Sequence, residues 1–345
     1  MKVLHLLYSN TFSGAENVVC QIIGMFQGDE GVDMCYVSPD GPIKDALKER
    51  GVRFFPLKEF TKAEVKRVIK EYQPDVVHAH DRRASFVASR AVGKIPLISH
   101  VHNNPFDARR ISVQSIAYLL AARKAKHIFW VSQSAKNGYA FQGAVKKKSS
   151  VLYNIINVAA LKEKMALDTN AYDYDVLYLG RLSFQKNPQR LICVLAEVAK
   201  KLPNAKFGIV GKGELEEETK ALAKELGVDK NIDFLGFQSN PLKMLARARA
   251  MIMTSRYEGT PMCALEAMAL GAPIVSTPTD GLKDLIKDGE NGFLSDEDSV
   301  LAEKLCLLIE NDELYQKLSK AQSEKASIIN DIESYKKALR EQYGF

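Results

Sequence analysis

Short runs rich in β-branched residues alternate with amphipathic stretches along nearly the whole chain, and this alternation restricts the fold more than any other feature. In the first half the spacing predicts strands at residues 3–7, 34–37, 53–55, 75–80, 97–101, 128–131 and 150–152, with helical stretches between them. Val76-Val77, between Pro74 and the polar run after His80, is a strand buried on both faces, as parallel sheets require. Strand–helix alternation needs right-handed crossovers, and therefore an α/β, doubly wound sheet. Around residues 154–174 the pattern breaks into an irregular polar stretch containing Asp168-Thr169-Asn170-Ala171. It then restarts with strands at 175–179, 207–210, 232–235, 250–253 and 274–276, and with helices after Pro188, from Glu214 and from Pro261. At about 150 residues per domain, 345 residues make two domains. The expected boundaries are 1–165 for the first domain, basic and acceptor-binding, and 166–325 for the second, donor-binding, with 326–345 a helix packing back toward the first. Doubly wound sheets bind ligands at the carboxyl ends of their strands, so two facing Rossmann-like domains are expected to enclose the site in a cleft.

Composition narrows the class. Hydrophobic residues make up 46% and charged residues 26%, an ordinary globular balance, and 21 glycines with 12 prolines exclude a collagenous or low-complexity chain. No apolar run approaches the ~20 residues of a spanning helix, and the amino terminus lacks the features of a signal peptide. Cys20, Cys35, Cys193, Cys263 and Cys306 are odd in number and widely spaced, which fits a reducing cytoplasm and no disulfide framework. The net charge of +6 is uneven: residues 1–170 hold 25 Lys and Arg against 15 Asp and Glu, and the remainder 23 against 27. Between Arg82 and Lys148, 13 basic residues face Asp107 alone. Without interleaved aromatics or a reader motif, nucleic acid is not the expected partner. Two readings remain for this stretch, a solvated helical face or contact with an anionic membrane surface. Ile116, Tyr118, Leu119 and Leu120 lie close to Arg109, Arg110, Arg123, Lys124 and Lys126, the make-up of a basic amphipathic helix.

The strongest chemical signal is the string Tyr257-Glu258-Gly259-Thr260-Pro261-Met262-Cys263-Ala264-Leu265-Glu266. Thr260 suits an N-cap and Pro261 a first helical position, with the helix stopping at Gly271. Glu258 then sits in the loop after a strand and Glu266 on the helix's second turn. Free amides at the helix start can hold phosphate, and the two carboxylates can accept from vicinal hydroxyls. An apolar setting leaves Glu266 in need of partners. In Gly180-Arg181-Leu182-Ser183-Phe184-Gln185-Lys186-Asn187-Pro188, two cations stand beside a helix capped by Asn187, which makes an anion site.

Glu258 and Glu266, with seven residues between them, resemble the paired-glutamate signature of glycosyltransferase family 4, retaining enzymes of the GT-B architecture. The resemblance covers nearly the whole chain. It implies that Arg181 and Lys186 hold the donor diphosphate and steady the leaving group. Glu258 then orients the sugar hydroxyls, Glu266 the ribose, and His102, in His100-Val101-His102, the donor sugar or the acceptor. The catalytic set is thus His102, Arg181, Lys186 and Glu258. The donor-binding set adds Gly14, Gly211, Gly259, Thr260, Pro261, Met262, Cys263 and Glu266. Ser13-Gly14-Ala15-Glu16 is similar to the family's glycine-rich loop, with Ser13 in place of the first glycine. Gly281-Leu282-Lys283-Asp284 followed by Asp288 to Leu294 is similar to a further family loop, in which Asp284 replaces the usual Glu and is assigned no role. Glu258-Gly259-Thr260-Pro261 resembles members that build bacterial exopolysaccharide, capsule or lipopolysaccharide. The expected function is therefore hexosyl transfer from a nucleotide sugar, a UDP-sugar, to a lipid-linked or soluble saccharide acceptor. The expected place is the cytoplasm, peripheral at the inner membrane face.

Other motifs fall short. Gly211-Lys212-Gly213 lacks the third glycine of a dinucleotide fingerprint, and the glutamates that follow would repel a pyrophosphate. Asp173-Tyr174-Asp175 precedes a strand rather than ending one, so no divalent metal or other cofactor is expected. His78 with His80, and His100 with His102, alternate at strand ends without an acidic or cysteine partner at zinc spacing. His78, His80 and His100 are therefore expected to be satisfied core or supporting residues. Nucleotide-sugar 2-epimerases share the architecture but need an acid and a base on the sugar that are not identifiable here. A non-catalytic nucleotide-sugar-binding protein would show a damaged signature, whereas Arg181, Lys186, Glu258 and Glu266 are intact.

Overall fold

The computed structural model describes every residue except Asn104 and Phe106. The chain divides into two compact units, Met1–Ile155 with Asp331–Phe345, and Ile156–Asn330. The first unit is built on seven strands: β1 (Lys2–Leu6), β2 (Asp33–Pro39), β3 (Phe54–Leu57), β4 (Val76–His80), β5 (Leu97–Val101), β6 (His127–Trp130) and β7 (Ser149–Val151). All neighbours run parallel in the order β3-β2-β1-β4-β5-β6-β7. β4 and β5 are buried at every position, so the histidines they carry and Ser99 are buried along with their apolar residues. The order reverses between β1 and β4. That switch point opens a crevice at the carboxyl ends of both strands, because their connections leave on opposite sides of the sheet.

The second unit repeats the plan with β8 (Val176–Leu179), β9 (Phe207–Val210), β10 (Ile232–Gly236), β11 (Ala250–Met253), β12 (Ile274–Ser276) and β13 (Gly292–Leu294). Its parallel order is β10-β9-β8-β11-β12-β13, with the switch point between β8 and β11. β13 was not expected; three residues ending the Asp288–Leu294 loop carry too little pattern to read as a strand. The stretch expected to be irregular contains a helix, Val158–Ala166, started by Asn157, whose side chain accepts from the Ala160 amide at 3.1 Å. Only Leu161 of that helix is buried, which is why no apolar periodicity announced it.

The division falls at residue 155 rather than 165, and the last segment of the first unit starts at Asp331 rather than 326. Asn330 ends one helix (Asp312–Ile329), and Asp331 caps the next (Ile332–Tyr343) by accepting from Ser334 N at 3.0 Å. The last helix docks within the first unit. Lys336 and Arg340 pair with Asp29 at 3.1 and 2.5 Å, and the Tyr343 hydroxyl meets His78 Nδ1 at 2.7 Å.

Candidate functional site

In each unit the residues singled out by sequence gather at the carboxyl ends of the strands at the switch point and of a strand next to it. The second unit carries the charged set. β8 ends at Leu179, and Gly180 with Arg181 follows. Gly180 must pass close to the end of β9: its amide donates to Val210 O at 3.0 Å, and a Cβ on Gly211 would lie 1.9 Å from Gly180 O. Gly211 also has φ +137°, so glycine at this position is demanded by the chain's own packing. Gly213 is held likewise, its would-be Cβ 2.1 Å from Leu182 O. This packing delays the next helix, which runs Glu216–Glu225 rather than starting at Glu214.

Arg181 is exposed, with no carboxylate partner among the described residues. Lys186 differs: its Nζ lies 2.6 Å from Glu258 Oε1, with side-chain exposures of 15% and 6%. The same carboxylate oxygen accepts from Ser255 Oγ at 2.6 Å, and Oε2 accepts weakly from Gln185 Nε2 at 3.4 Å. Burial alone would lower the Lys186 ammonium, but the Glu258 carboxylate, with Cys263 and Tyr178 acting in the same sense, holds the group charged above its ordinary range. The two loops read separately in the sequence, one for diphosphate and one for sugar, are thus one structure.

Residues not singled out by sequence complete the clasp between these loops. Arg256 donates to Phe184 O at 3.1 Å and to Asn187 Oδ1 at 2.9 Å, and stacks on the Phe184 ring. Gln185 donates to Tyr257 O at 3.0 Å. Asn187 is therefore no side-chain cap: it takes the left-handed conformation, φ 54°, and its side chain serves Arg256 while Pro188 starts the helix. Thr260 is not the N-cap either. Pro261 takes that place, the helix is Met262–Ala269, and the Ala264 amide returns to Pro261 O at 3.1 Å. The Met262 and Cys263 amides lie ahead of that first bond, in the first turn. Gly259 backs onto Gly281, where a Cβ would sit 1.1 Å from Gly259 O.

Glu266 is partly exposed, and loss of hydration pushes its carboxyl up to about 7, Lys164 opposing the shift. Burial likewise pushes the Cys263 thiol up to about 12, which removes it as a nucleophile at neutral pH. Glu258 is thus paired with a cation, whereas Glu266 is poised to change protonation.

The first unit presents a histidine group. His5 on β1, His78 and His80 on β4, His100 on β5 and His102 just beyond it stand side by side because parallel pairing puts His5 opposite His78 and His80 opposite His100. All five are buried. His5 Nδ1 lies 3.0 Å from His80 Nε2, and His80 Nδ1 lies 2.9 Å from His102 Nε2. Desolvation lowers all five, His5 to about 3 and His102 to about 4, so the imidazoles are neutral. His78 is satisfied at Nδ1 by the Tyr343 hydroxyl, while His78 Nε2 and both ring nitrogens of His100 make no hydrogen bond of normal geometry among the described residues.

Asp81, after β4, has φ 69°, an uncommon conformation for a non-glycine residue and one found at functional junctions. Its Oδ1 accepts from the His102 amide at 2.9 Å and so fixes the loop carrying that imidazole. Gly14 opens the helix Gly14–Phe26, and a Cβ there would meet nothing within 4 Å. Ser13 Oγ donates to Glu16, a buried carboxylate, at 2.5 Å. As for the metal motif, Asp173 pairs with Lys206 and Asp175 accepts from the Lys206 amide at 2.9 Å.

Residues 161–325 match the family model of the glycosyl transferases group 1, and residues 12–160 match that of glycosyltransferase family 4. An uncharacterized glycosyltransferase of Methanocaldococcus jannaschii, MJ1059, is 29% identical over 233 residues, 61% of this chain and 57% of that protein's length. Lipopolysaccharide 1,6-galactosyltransferase of Salmonella typhimurium is 26% identical over 306 residues, 82% of each chain. Among solved structures, Anabaena HepE in complex with UDP-glucose superimposes with a TM-score of 0.83 at 24% identity, covering 99% of this chain and 98% of that one.

Proposed function

For a chain that belongs to the group 1 and family 4 glycosyltransferases, we propose the transfer of a hexosyl unit from a UDP-sugar to a saccharide hydroxyl, with retention at the anomeric carbon and without a divalent metal. The observation that carries this reading is the array at the β8–β11 switch point: unpaired Arg181, the Lys186–Glu258 pair, and Glu266 one helix turn on. An ammonium has three donors and Glu258 occupies one, so Lys186 keeps two for a diphosphate. Arg181 adds a forked donor, and together they steady the charge that grows on the leaving diphosphate, the task a metal performs elsewhere. Glu258 Oε2 is nearly free to accept from a sugar hydroxyl, and Glu266 can take the ribose hydroxyls. In the transfer itself the bond from the anomeric carbon to the diphosphate oxygen breaks on the face where the acceptor oxygen bonds, and the acceptor's proton passes to the leaving diphosphate. His102 contacts the donor sugar or the acceptor.

The acceptor in this reading is lipid-linked, in cell-surface polysaccharide synthesis. The support is a surface feature of the first unit. On the helix Val113–Lys124 and just before it, Ile111, Val113, Ile116 and Leu120 are 75, 81, 45 and 57% exposed, beside exposed Arg109, Arg110, Arg123 and Lys124. Apolar groups ringed by cations suit an anionic bilayer surface. Among the described residues no helix is long and apolar enough to cross a membrane.

Thermal unfolding with UDP, GDP, ADP and CMP, each with and without EDTA, tests the donor. Ligand at about 100 Kd adds ~2.7 kcal/mol to native stability, so a UDP-selective, EDTA-insensitive shift is expected. A shift lost in EDTA refutes metal independence, and a GDP-only shift refutes the UDP-sugar. The anomeric configuration of the first product, read by NMR, decides retention. Flotation with anionic and neutral vesicles decides the membrane reading, which equal binding to both removes.

A further inference from the structure

We propose that the buried histidine row is an acid-sensitive switch built into the first unit: in mild acid this unit opens cooperatively while the second stays folded. The inference uses burial and charge alone and stands apart from the transfer reading. All six histidines of the chain lie within its first 127 residues, so the second unit has none. His5, His78, His80 and His100 are at most 1% exposed, and His102 is 8% exposed. The rings crowd one another, with centroids 4.3 Å apart for His78 and His80 and 4.4 Å apart for His100 and His102. A proton on one ring therefore sets a charge out of reach of water, and a second proton is repelled by the first.

Among the described residues the surroundings do not supply the counter-charge that five imidazolium ions would need. Glu16, from the helix Gly14–Phe26, favours a charge on His102, and desolvation outweighs it. Asp81 is engaged by the His102 amide at 2.9 Å, and Arg82 beside it pairs with Asp107 at 3.1 Å. The last helix offers His78 the Tyr343 hydroxyl, which burial keeps neutral. The sixth histidine, His127, is half-buried at the start of β6, where Lys126 and Lys136 also oppose its charge.

Burial holds all six below the ordinary value of 6.5, His5 at about 3 and His102 and His127 at about 4. The folded unit thus stays unprotonated where the unfolded chain takes up six protons. A group whose folded value lies below its unfolded value stabilises the fold above pH 6.5, and that stability is lost as pH falls toward the folded value. Asp81 offsets one of the six, because burial raises it to about 6 and the folded unit gains a proton there. Of the remaining five protons, each divides the folded-to-unfolded ratio by about 11 at one pH unit below 6.5. Together they lower that ratio about 10⁵-fold at pH 5.5, against ~10³–10⁸ for the whole ratio of a small domain. The transition therefore falls between about pH 5 and 6. In the second unit Glu266, raised to about 7, acts in the opposite sense, since folding tightens its proton.

Trp130 is the one tryptophan of the chain and is fully buried on β6, so its emission reports the first unit. The test lowers the pH of the full chain from about 7.5 to about 4.5, a span that brackets the window worked out above. It follows Trp130 emission together with hydrogen exchange resolved to peptides of each unit. A cooperative red shift centred between about pH 5 and 6 is expected, with amide protection lost from β1–β7 and kept in β8–β13. His100→Phe removes one buried imidazole; it should cut the steepness by one proton, about tenfold in the folding ratio per pH unit, and move the midpoint to lower pH. His5→Phe makes the same measurement where His100→Phe does not fold at neutral pH. Emission that does not change across the whole range, protection lost from both units together, or the parent's steepness in the variant overturns the proposal.

Discussion

Replacing Lys186 with Met separates two roles that the structure gives one side chain. The ammonium is paired at 2.6 Å with Glu258, whose side chain is 6% exposed. Stripping one member from a buried pair costs ~3–5 kcal/mol, because the other charge stays desolvated and alone. Here Glu258 keeps Ser255 and, weakly, Gln185, which places the cost at the lower end, about 3 kcal/mol. For a unit of this size about 1 kcal/mol moves Tm by roughly 2–4 °C, so Lys186→Met should melt roughly 6–12 °C below the parent. Lys186→Met with Glu258→Gln leaves no orphaned charge and should recover at least half of that loss. Nucleotide binding should behave otherwise: the UDP-induced shift should be missing from the single and the double variant alike, since both lack the cation. The measurement is calorimetry of the parent, both single variants and the double variant, each with and without UDP. A Lys186→Met protein melting within 2 °C of the parent, or a double variant whose loss is the sum of the singles, refutes the coupling. A normal UDP shift in the double variant refutes the phosphate role.

Three further outcomes are expected. Glu266, raised to about 7 by burial, accepts from both ribose hydroxyls more strongly when ionised, so UDP affinity should rise with pH up to 7 and level off above it. In the protein without nucleotide the folded pKa exceeds the unfolded value, so the stability of the second unit should fall as pH rises from 4.5 to 7; calorimetry and titration of Glu266→Gln should find both slopes removed. Gly211→Ala puts a methyl 1.9 Å from Gly180 O at φ +137°, and a loss of at least ~2–3 kcal/mol is expected in denaturant unfolding, from strain and overpacking together. Arg181→Ala changes an exposed side chain, so Tm should stay within about 2 °C while turnover falls at least a hundredfold in a donor-consumption assay.

The strand–helix alternation was legible because parallel strands buried on both faces read as continuous apolar runs, and nine or more residues of amphipathic helix separate most of them. Exceptions were local. The helix Val158–Ala166 buries one side chain and β13 has three residues, so neither carries enough period to be read. The motif residues were legible by kind: a cation pair before a capped helix and two carboxylates around a helix start. What the sequence by itself determined was the alternating plan and which residue types stand at strand ends, since both are properties of neighbours along the chain.

Tertiary structure alone decided the partnerships, because they depend on which strands become adjacent. Lys186 and Glu258 are 72 residues apart, and they meet only because β8 and β11 pair across the order reversal. Thr260 and Asn187 had the right chemistry for caps, yet the competing demands of Pro261 and Arg256 moved them to other tasks. The histidines show the same division: their alternation on β4 and at the end of β5 is local, but parallel register lines them up with His5. The low dielectric of the sheet's interior then keeps the imidazoles neutral, and they join through hydrogen bonds from His5 to His80 and from His80 to His102 that no local pattern announces.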